Sequence, residues 1–521
     1  MNNNLAIEIW NGNTRIDNLS LDVTRAQDIT FSTQYPGGLF GTCDFFIPRS
    51  IVATCALSGA NMVVVRNNRS IVFQGYIANL PIQLEEALQG RAIHAVGAWA
   101  AILMTRRWRK PFADTRLDDA TWLWQTNIAT WTGVEKCSLD RNNRLRFTPK
   151  REAWINNDWV AVVYIAPVGE TVKRITFNYD LQKAAQSWML GLWNVGTSAS
   201  VWSVAVSGTG TVDHTLATPN QEILFYFKAT ASQTPASDGT IYGEVSNLVV
   251  YTETGAINLS TIATKVAAKD SRLSTDTSLI AASALSLVPF ITDGMSGYAT
   301  LADILDKAAK YGDSSYNSWA VGVREGDLSG DGKPILFAEI YPALTGYDYA
   351  VRVEEPTFTP PFEVWQDFDD LWNYIFVLYQ DANGRTAYLT PTDDAGLTDA
   401  TSVAAYGQRD YLLQVNTTSS TVAANAGKRF LAAKKDPTWR VNGNITIKGS
   451  IRTSTGNSIP ACQIRAGKRI KIENWLNDLS GTGLTFLITG TTYMDADQTC
   501  QISVGQADPL DVLLAQLSMG K

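Results

Sequence analysis

The sequence predicts a mainly β fold with α+β parts: two small β-barrels, an inserted jelly-roll-type β-sandwich and an α+β domain. Charged residues make up only 18% of the chain, and many Gly, Ser, Thr and Asn residues take their place, which suits strands joined by turns. Short alternating segments recur with turn signals between them. Helical periodicity is confined to the chain beyond residue 255.

The order of these signals divides the chain into four parts. We expect residues 1–108 to form the first barrel and residues 109–255 the inserted sandwich. Residues 256–405 are expected to form the α+β domain, and residues 406–521 the second barrel with a C-terminal helix. A chain of 521 residues is long enough for about two to four domains.

The first part reads as short strands separated by turns. Leu5–Trp10 alternates, and Asn11-Gly12 supplies a hairpin turn. Leu19–Val23 alternates again, and Pro36-Gly37-Gly38 marks a turn before a further strand that begins at Cys43. This spacing of strands and turns predicts a small barrel or sandwich.

The inserted part is rich in tryptophan, since nine of the 16 tryptophans lie between Trp108 and Trp202. Turns rich in Ser, Thr and Gly separate its apolar segments, which predicts a separate sandwich. The predicted strands are Trp159–Ile165, Val172–Tyr179, Val201–Val206, Glu222–Phe227 and Leu248–Tyr251.

The later parts combine helices with strands. The predicted helices begin near Ile257 and at Thr300, Glu363, Ser420 and Asp508; Thr300 is an N-cap with Asp303 at the third helical position. The helix from Glu363 is expected to end near Tyr374. The predicted strands are 319–323, 335–340, 374–379, 386–390, 445–448, 469–472, 485–488 and 501–504, and Asn383-Gly384 makes a hairpin of the third and fourth.

Two stretches at opposite ends of the chain are similar to each other. Gly59–Ile77 and Arg465–Tyr493 each contain a small-residue turn, an alternating strand, a polar connection and a second strand. Two similar β-units in one chain suggest a molecule that imitates a higher symmetry than its copy number provides. This pattern points towards assembly rather than chemistry.

Composition argues against several functions. A net charge of −7 and a pI near 5.1 argue against a general nucleic-acid binder. Five scattered cysteines indicate reduced thiols, with Cys43 and Cys500 in core strands. His94 and His214 are too far apart for a zinc site and lack a nucleophile motif. No signal peptide or spanning apolar run is visible, and we expect no catalytic residue, metal or cofactor.

Six segments carry a family resemblance through their order and spacing. They are Thr30–Gly38, Phe45–Arg49, Tyr374–Thr390, Tyr406–Arg409, Ile464–Gly467 and Phe486–Asp495. Together they resemble the bacteriophage tail-tip and baseplate hub proteins, over residues 1–105 and about 256–517.

The resemblance implies a structural virion protein that is made in the host cytoplasm and is not an enzyme. In such hubs three chains each contribute two similar barrels, and the six barrels form a pseudo-sixfold ring against the tail tube. The implied partners are two further copies, the tail tube or distal tail protein, and tip or fibre proteins. DNA leaves through the channel without specific binding, and the −21 charge of three chains of −7 would weaken its adhesion.

The inserted part resembles a different class of module. Asp238–Tyr251 is similar to the closing strands of carbohydrate-binding jelly rolls. Tryptophan faces stack on sugar rings, although large aromatic side chains more often fill a core. The candidate glycan-binding residues are Trp154, Trp159, Trp188, Trp193 and Trp202.

Three further motifs have ordinary structural interpretations. Asp327–Gly332 resembles the start of a calcium loop, but Ala338 stands where a bidentate acid is needed, so we expect a β-turn. The acids within Glu363–Asp370 are expected on the polar face of one helix, whereas glycoside hydrolysis needs carboxylates facing across a cleft. Arg106–Lys110 is expected to be an interface or a solvated surface.

Three functions therefore stand as hypotheses. The favoured one is a homotrimeric structural hub of a phage tail tip. The second is an adhesin that binds host-surface glycans through residues 109–255. The third, a tail-associated glycan hydrolase, is least favoured because the sequence offers neither a facing acid pair nor usable histidines.

Overall fold

The chain was analysed as a computed structural model. It describes residues 5–12, 14–18, 27–48, 57–80, 82–84, 89–109, 113–114, 122–126, 137–139, 144–147, 155–166, 170–181, 188–205, 208–234, 241–252, 257–283, 285, 287, 298–312, 317–326, 332–352, 358–359, 363–381, 384–415, 419–473 and 484–505. The predicted strand Leu19–Val23, the predicted helix from Asp508 and the turn residues 327–331 lie outside these ranges.

The chain divides into two compact units. Unit 1 comprises residues 1–107, 258–285 and 300–521, and unit 2 comprises residues 108–257 and 286–299. The fold is mainly β, with 55% strand and 15% helix, as the sequence predicted. Within the described ranges, no helix is both long and apolar enough to cross a membrane.

Unit 1 opens with nine strands, and Gly12, whose φ is +56°, lies in the predicted turn between the first two, while Asn11 ends β1 opposite Thr14. The strands are β1 (Leu5–Asn11), β2 (Thr14–Asn18), β3 (Gln27–Gln34), β4 (Gly37–Gly38), β5 (Phe40–Pro48), β6 (Met62–Asn67), β7 (Ser70–Asn79), β8 (Ile82–Leu84) and β9 (Gln89–Gly97). A π-helical turn, Trp99–Leu103, follows them. β10 (Arg107–Arg109) leads into unit 2.

Unit 2 contains eleven strands in the described ranges. They are β11 (Ala113–Asp114), β12 (Trp122–Thr126), β13 (Cys137–Leu139), β14 (Leu145–Phe147), β15 (Trp159–Ile165), β16 (Val172–Leu181), β17 (Trp188–Asn194), β18 (Ala199–Val204), β19 (Gly208–Asn220), β20 (Glu222–Ala229) and β21 (Gly243–Tyr251). The sequence signals located five of these and missed β17 and β19 among the rest.

The remaining strands complete unit 1, after β22 (Tyr298–Thr300) returns the chain from unit 2. They are β23 (Trp319–Arg324), β24 (Ile335–Ile340), β25 (Tyr349–Arg352), β26 (Phe358–Thr359), β27 (Glu363–Asp367), β28 (Tyr374–Gln380), β29 (Thr386–Leu389), β30 (Asp410–Gln414), β31 (Thr438–Asn442), β32 (Ile445–Lys448), β33 (Ser450–Thr453), β34 (Ser458–Pro460), β35 (Arg469–Glu473), β36 (Leu484–Met494) and β37 (Thr499–Gly505).

The helices that the structure describes belong to unit 1 and begin at capping residues. They are α1 (Leu259–Ala267), α2 (Leu301–Lys310), α3 (Ala400–Tyr406) and α4 (Ser420–Lys434), with short 3-10 turns at Ala395–Leu397 and Ala461–Gln463. The predicted start of α2 is confirmed, because the Thr300 and Asp303 side chains accept each other's backbone N–H groups in a capping box. Asn258 caps α1 by accepting the Thr261 N–H.

The helix predicted from Glu363 to Tyr374 is wrong. Residues Glu363–Asp367 form β27, which pairs antiparallel with β31. Val364 lies opposite Val441, and both pack against the unit 1 core. The partner strand lies more than 70 residues away, so local periodicity carried no sign of it and tertiary pairing overrode helical spacing.

The similarity between the two ends extends beyond the two predicted hairpins, β6–β7 and β35–β36, which are both present. In the first strand set, neighbouring strands follow the order β1-β6-β7-β9-β5-β3. In the second set they follow the order β25-β35-β36-β37-β32-β26. Taken in chain order, the six strands of one set correspond one to one with the six of the other. Among these described pairings, the two sets differ in strand direction at one place: β1 and β6 are antiparallel, whereas β25 and β35 are parallel.

The two strand sets are joined where β3, the last strand of the first set, pairs with the C-terminal half of β36. β3 pairs antiparallel with β36, from Thr30 opposite Met494 to Gln34 opposite Gly490. Both sets therefore belong to one hydrogen-bonded sheet, and their buried side chains form a single hydrophobic core. The closure of each set into a barrel stays a prediction.

Buried polar bonds hold this joint in register. The Thr33 and Thr491 hydroxyl oxygens lie 2.6 Å apart, and the Ala466 N–H donates to Thr33 Oγ1 over 3.0 Å. Arg465 donates from Nη1 to the Val72 carbonyl over 3.0 Å and from Nη2 to the Ile71 carbonyl. Each contact links residues from opposite ends of the chain.

A smaller layer of unit 1 consists of the sheet β29-β28-β30 and helix α4. Ile375 and Val377 face α4 and pack against Ala423 and Phe430. The opposite face carries Tyr388 and Leu412, which are 60% and 50% exposed. No described part of unit 1 buries these two side chains.

Unit 2 consists of two sheets around one core. One sheet follows the order β13-β14-β21-β16-β19 with β11 beside β21, and the other follows β12-β15-β20-β17-β18. Inward-facing residues of both sheets, including Phe177, Trp188, Phe225 and Phe227, form the core. Alternate residues on each strand consequently face outward.

Candidate functional site

The outer face of the sheet β12-β15-β20-β17-β18 is apolar. On β20, Phe225 and Phe227 point into the core, whereas Leu224 and Tyr226 belong to a second hydrophobic cluster. Ala161 and Val163 on β15 join this outer cluster. These four side chains are at most 8% exposed, and Leu224 and Tyr226 among them also line a cavity on this face.

This face contains a cavity of about 720 Å³. That volume lies within the usual range for small-ligand sites, roughly 300–1,000 Å³. The lining residues are Asn157, Trp159, Met189, Trp193, Val195, Ser200, Ser203, Leu224, Tyr226 and Lys228. The site therefore combines aromatic rings, aliphatic side chains and a few hydrogen-bonding groups.

Tyr226 forms the floor of the cavity because Gly191 leaves room for its ring. Gly191 lies opposite Tyr226 on β17, and a Cβ atom there would come within 2.3 Å of Tyr226 Cζ. The Tyr226 hydroxyl lies 3.0 Å from Ser200 Oγ. This contact fixes the orientation of the ring.

Two predicted tryptophans lie at separate points of the cavity. Trp159 on β15 is opposite Lys228 of β20, and Trp193 on β17 is opposite Leu224 of the same strand. Because Lys228 and Leu224 are four residues apart, these points are separated by roughly 14 Å along the strand and about 10 Å across two strand spacings. The separation exceeds one sugar ring, so a short oligosaccharide could contact both.

Trp188 and Trp202, the other predicted tryptophans that the structure describes, are not among the residues that line this cavity. Trp188 is 0% exposed and stacks on Phe227 with ring centroids 4.8 Å apart, so it offers no face to a ligand. Trp202 packs edge-on against Phe177 at 5.3 Å and belongs to the border of the core. Trp154 lies outside the described residues.

Sequence reasoning missed Met189, Tyr226 and Lys228. A signal was present in Ile223–Phe227, an unbroken apolar run that is typical of a strand covered on both faces. From local pattern alone the run predicts a strand and does not indicate that one of its faces lines a cavity. The lysine that follows it gave no local indication of its position between Trp159 and Met189.

Two of the acids within Glu363–Asp370, Asp367 and Asp370, form ion pairs. Asp367 accepts a hydrogen bond from Arg440 over 3.0 Å, and Asp370 accepts one from Lys434 over 2.9 Å. The prediction that these acids lie on the polar face of a helix is wrong, because they lie on β27 and directly after it. Their observed contacts are structural.

The remaining motifs also make structural contacts. Ala338 lies in β24, which pairs with β23 on either side of the predicted turn. Arg106 donates to Asp270 over 3.2 Å. Burial alone would raise the pKa of the Asp270 carboxyl, but hydrogen bonds from Arg272 and the charges of Arg272 and Arg106 lower it overall.

Cys43, Cys462 and Cys500 are buried free thiols. Among the described residues, no three acidic, His or Cys side chains cluster to hold a metal.

No protein-family model matches the chain, and no curated protein matches it. Among solved structures it is similar to a tail protein from Neisseria meningitidis MC58, with 11% identity, 98% of each chain covered and a TM-score of 0.43. It is also similar to the 43 kDa tail protein of prophage MuSo2 from Shewanella oneidensis, with 10% identity, 98% and 99% covered and a TM-score of 0.37.

A partial similarity concerns a carbohydrate-binding module of Cellvibrio mixtus lichenase 5A, solved with cellotriose. It covers 28% of this chain and 95% of the module, with 14% identity and a TM-score of 0.14. Over nearly its full length, the chain is structurally similar to phage and prophage tail proteins.

Proposed function

We propose that this protein is a structural component of a phage tail tip or baseplate, without enzymatic activity, that assembles into a homotrimeric ring. The observation that carries the proposal is the repeated six-strand order of the two strand sets. One chain with two equivalent sets offers two similar building blocks. Three chains would offer six, which matches a sixfold tail tube.

The joint between the sets supports a rigid double block. β3 and β36 share a ladder of paired residues, and Phe31 packs on Tyr493 with ring centroids 5.1 Å apart. A joint with a continuous core and buried polar bonds resists bending. The two sets would therefore enter the ring as one piece, each forming a small barrel.

The uncovered face of β29-β28-β30 supports assembly with further protein. Exposed apolar residues gathered on one face are typical of surfaces that a partner covers. Phe376 pairs with Leu412, and Leu378 pairs with Tyr388, so these side chains form one continuous strip. We propose that the ring joins the tail tube to distal tip or fibre proteins.

The ring would surround the channel through which DNA leaves the virion. Three chains of −7 give a formal charge of −21. Like charge disfavours adhesion of a passing polyanion, so DNA would pass without specific binding.

The mass of the protein in solution tests the trimer. Three chains of 57.0 kDa give about 171 kDa by light scattering or native mass spectrometry. A stable species of 57.0 kDa at high protein concentration, from a chain also absent from purified tails, would overturn the proposal.

A second function is favoured by the cavity of unit 2. We propose that this cavity binds host-surface saccharides, with Trp159 and Trp193 stacking on sugar rings. The supporting observation is an aromatic cavity on an outward sheet face, with Trp193 37% exposed. Glycan-array binding by the full chain tests this, and binding must disappear in Trp193→Ala; no binding to any host-type glycan would leave unit 2 as a structural decoration.

A further inference from the structure

The described residues that line the cavity of unit 2 carry one positive charge and no negative charge. Among the ten described residues that line it, Lys228 is the single charged one, and none of the ten carries a carboxylate. In the ranges that the structure describes, no ion pair or hydrogen bond involves the Lys228 ammonium group. A partly buried cation without a partner favours a ligand that brings a negative charge.

The other polar groups of the cavity can also donate hydrogen bonds. Ser203 contributes a hydroxyl group and Asn157 a carboxamide, and the Ser200 and Tyr226 hydroxyls, which are hydrogen-bonded to each other, also line the cavity. Hydroxyl and amide N–H groups around an ammonium suit the several acceptor oxygens of an anion. The set of donors would serve a neutral sugar less specifically.

Lys228 lies directly beside an aromatic face. It is opposite Trp159 on one neighbouring strand and Met189 on the other. Opposed residues of antiparallel strands have Cβ atoms about 4.5–5.5 Å apart. A sugar ring stacked on Trp159 would therefore hold its ring substituents within reach of the Lys228 ammonium.

We infer that the cavity takes an acidic oligosaccharide, in which a uronate carboxylate contacts Lys228 while the sugar rings stack on Trp159 and Trp193. The inference rests on the proposed saccharide-binding function and specifies its ligand class. Recognition combines an aromatic stacking surface with one charge-assisted hydrogen bond.

Matched pairs of saccharides test the inference by calorimetric titration of the full chain. Cellotetraose is compared with the tetramer of β-1,4-linked glucuronic acid, which differs in carrying a carboxylate at C6 of each ring. The tetramers of α-1,4-linked galactose and galacturonic acid form a second pair, so that one linkage does not decide the result. Each titration is run at low and high salt.

We expect the acidic member of at least one pair to bind about ten-fold more tightly than its neutral counterpart. High salt should reduce this preference, because a pair at the mouth of a cavity is partly screened. Lys228→Met should lower acidic binding to the neutral level. Lys173→Met removes the same charge from β16 in the other sheet and should leave the preference intact.

Three results would overturn the inference. Equal affinities within both pairs would refute the acidic class while leaving saccharide binding itself intact, and an acidic preference that survives in Lys228→Met would assign it to another site. If none of the four tetramers binds, both the inference and the saccharide function of the cavity fail. An unchanged unfolding midpoint of Lys228→Met excludes misfolding as the cause of lost binding.

Discussion

Two β surfaces of this molecule differ in what covers them. At the joint of unit 1, β3 meets β36, and polar side chains such as Thr33 and Thr491 are buried with hydrogen-bond partners. On the outer sheet face of unit 2, apolar side chains line an open cavity, and Lys228 has no partner among the described residues. The polar groups of the joint are hydrogen-bonded to one another, whereas the Lys228 ammonium group in the cavity is available to a ligand.

This difference separates two roles. Satisfied buried polar groups specify one register and stabilise the fold, because leaving any of them without a partner costs free energy. An open face with unused groups contributes little to stability and is available for binding. Substitutions at the joint should therefore reduce stability, and substitutions in the cavity should reduce binding.

The largest expected loss of stability comes from Arg465→Met. The change leaves the carbonyls of Ile71 and Val72 without their donor and removes the guanidinium from above the Phe40 ring. We expect a loss of about 3 kcal/mol in the free energy of unfolding, measured by urea titration. Arg440→Met is the matched control, since Arg440 is 48% exposed, and its ion pair with Asp367 should contribute less than about 1 kcal/mol. Equal losses in the two variants would contradict a special role of the joint.

Thr33→Val should cost less, roughly 1–3 kcal/mol. The new side chain keeps the shape but removes the hydroxyl that bonds to Thr491 and accepts the Ala466 N–H. The control is Thr42→Val, whose hydroxyl contacts Ser32 at the exposed surface, and we expect less than about 0.5 kcal/mol there. A double-mutant cycle with Thr491→Val measures the coupling, and zero coupling would refute the bond across the joint.

The pH dependence of stability should change in Asp270→Asn. Arg272 and Arg106 hold the pKa of the Asp270 carboxyl below its ordinary value of 3.8 in the folded protein. The charged form therefore stabilises the fold above about pH 4, and this contribution is lost as the pH falls through the folded pKa. Unfolding midpoints measured from neutral to acidic pH should converge for the two proteins at low pH; parallel curves would exclude this contribution.

The smallest expected loss of stability accompanies a large loss of binding. Trp193→Ala removes a ring that is 37% exposed, so the cost in unfolding free energy should stay below about 1 kcal/mol. Saccharide affinity of the full chain, measured by titration, should disappear. Trp193→Phe retains a flat apolar face and should keep part of the affinity. A Trp193→Ala protein that unfolds easily but binds saccharide normally would contradict the proposed division between joint and cavity.

Local signals in the sequence were sufficient for elements whose determinants are close together. The capping box of Thr300 and Asp303, the hairpins β6–β7 and β35–β36, and the start of α4 near Ser420 were all predicted. The capping box, the β6–β7 hairpin and the start of α4 depend on residues within a few positions, where capping and turn chemistry act.

Pairing between distant strands could not be predicted. Trp365 lies in a strand because β31 pairs with it, and the sequence around it shows helical spacing instead. The equivalence of the six-strand orders was also hidden, since only its hairpins share a local pattern. Strand neighbours far apart in sequence are chosen by packing, which local propensity does not encode.

The candidate site was predicted in part. The tryptophan content of the sequence predicts binding roles for Trp159 and Trp193, which line the cavity, and equally for Trp188, which lies in the core. The distinction depends on which face of β17 each residue occupies, because Trp188 and Trp193 are five positions apart and so point to opposite faces. Lys228 could be assigned to the cavity only once its two neighbouring strands were known.

The most direct test of the central claim is an averaged electron-microscopy image of the purified oligomer, viewed along its axis. We predict a closed ring with threefold symmetry in which six similar lobes surround a central channel, two lobes from each chain. A ring with only three lobes, or particles that form no ring, would contradict the use of the two equivalent strand sets as six building blocks.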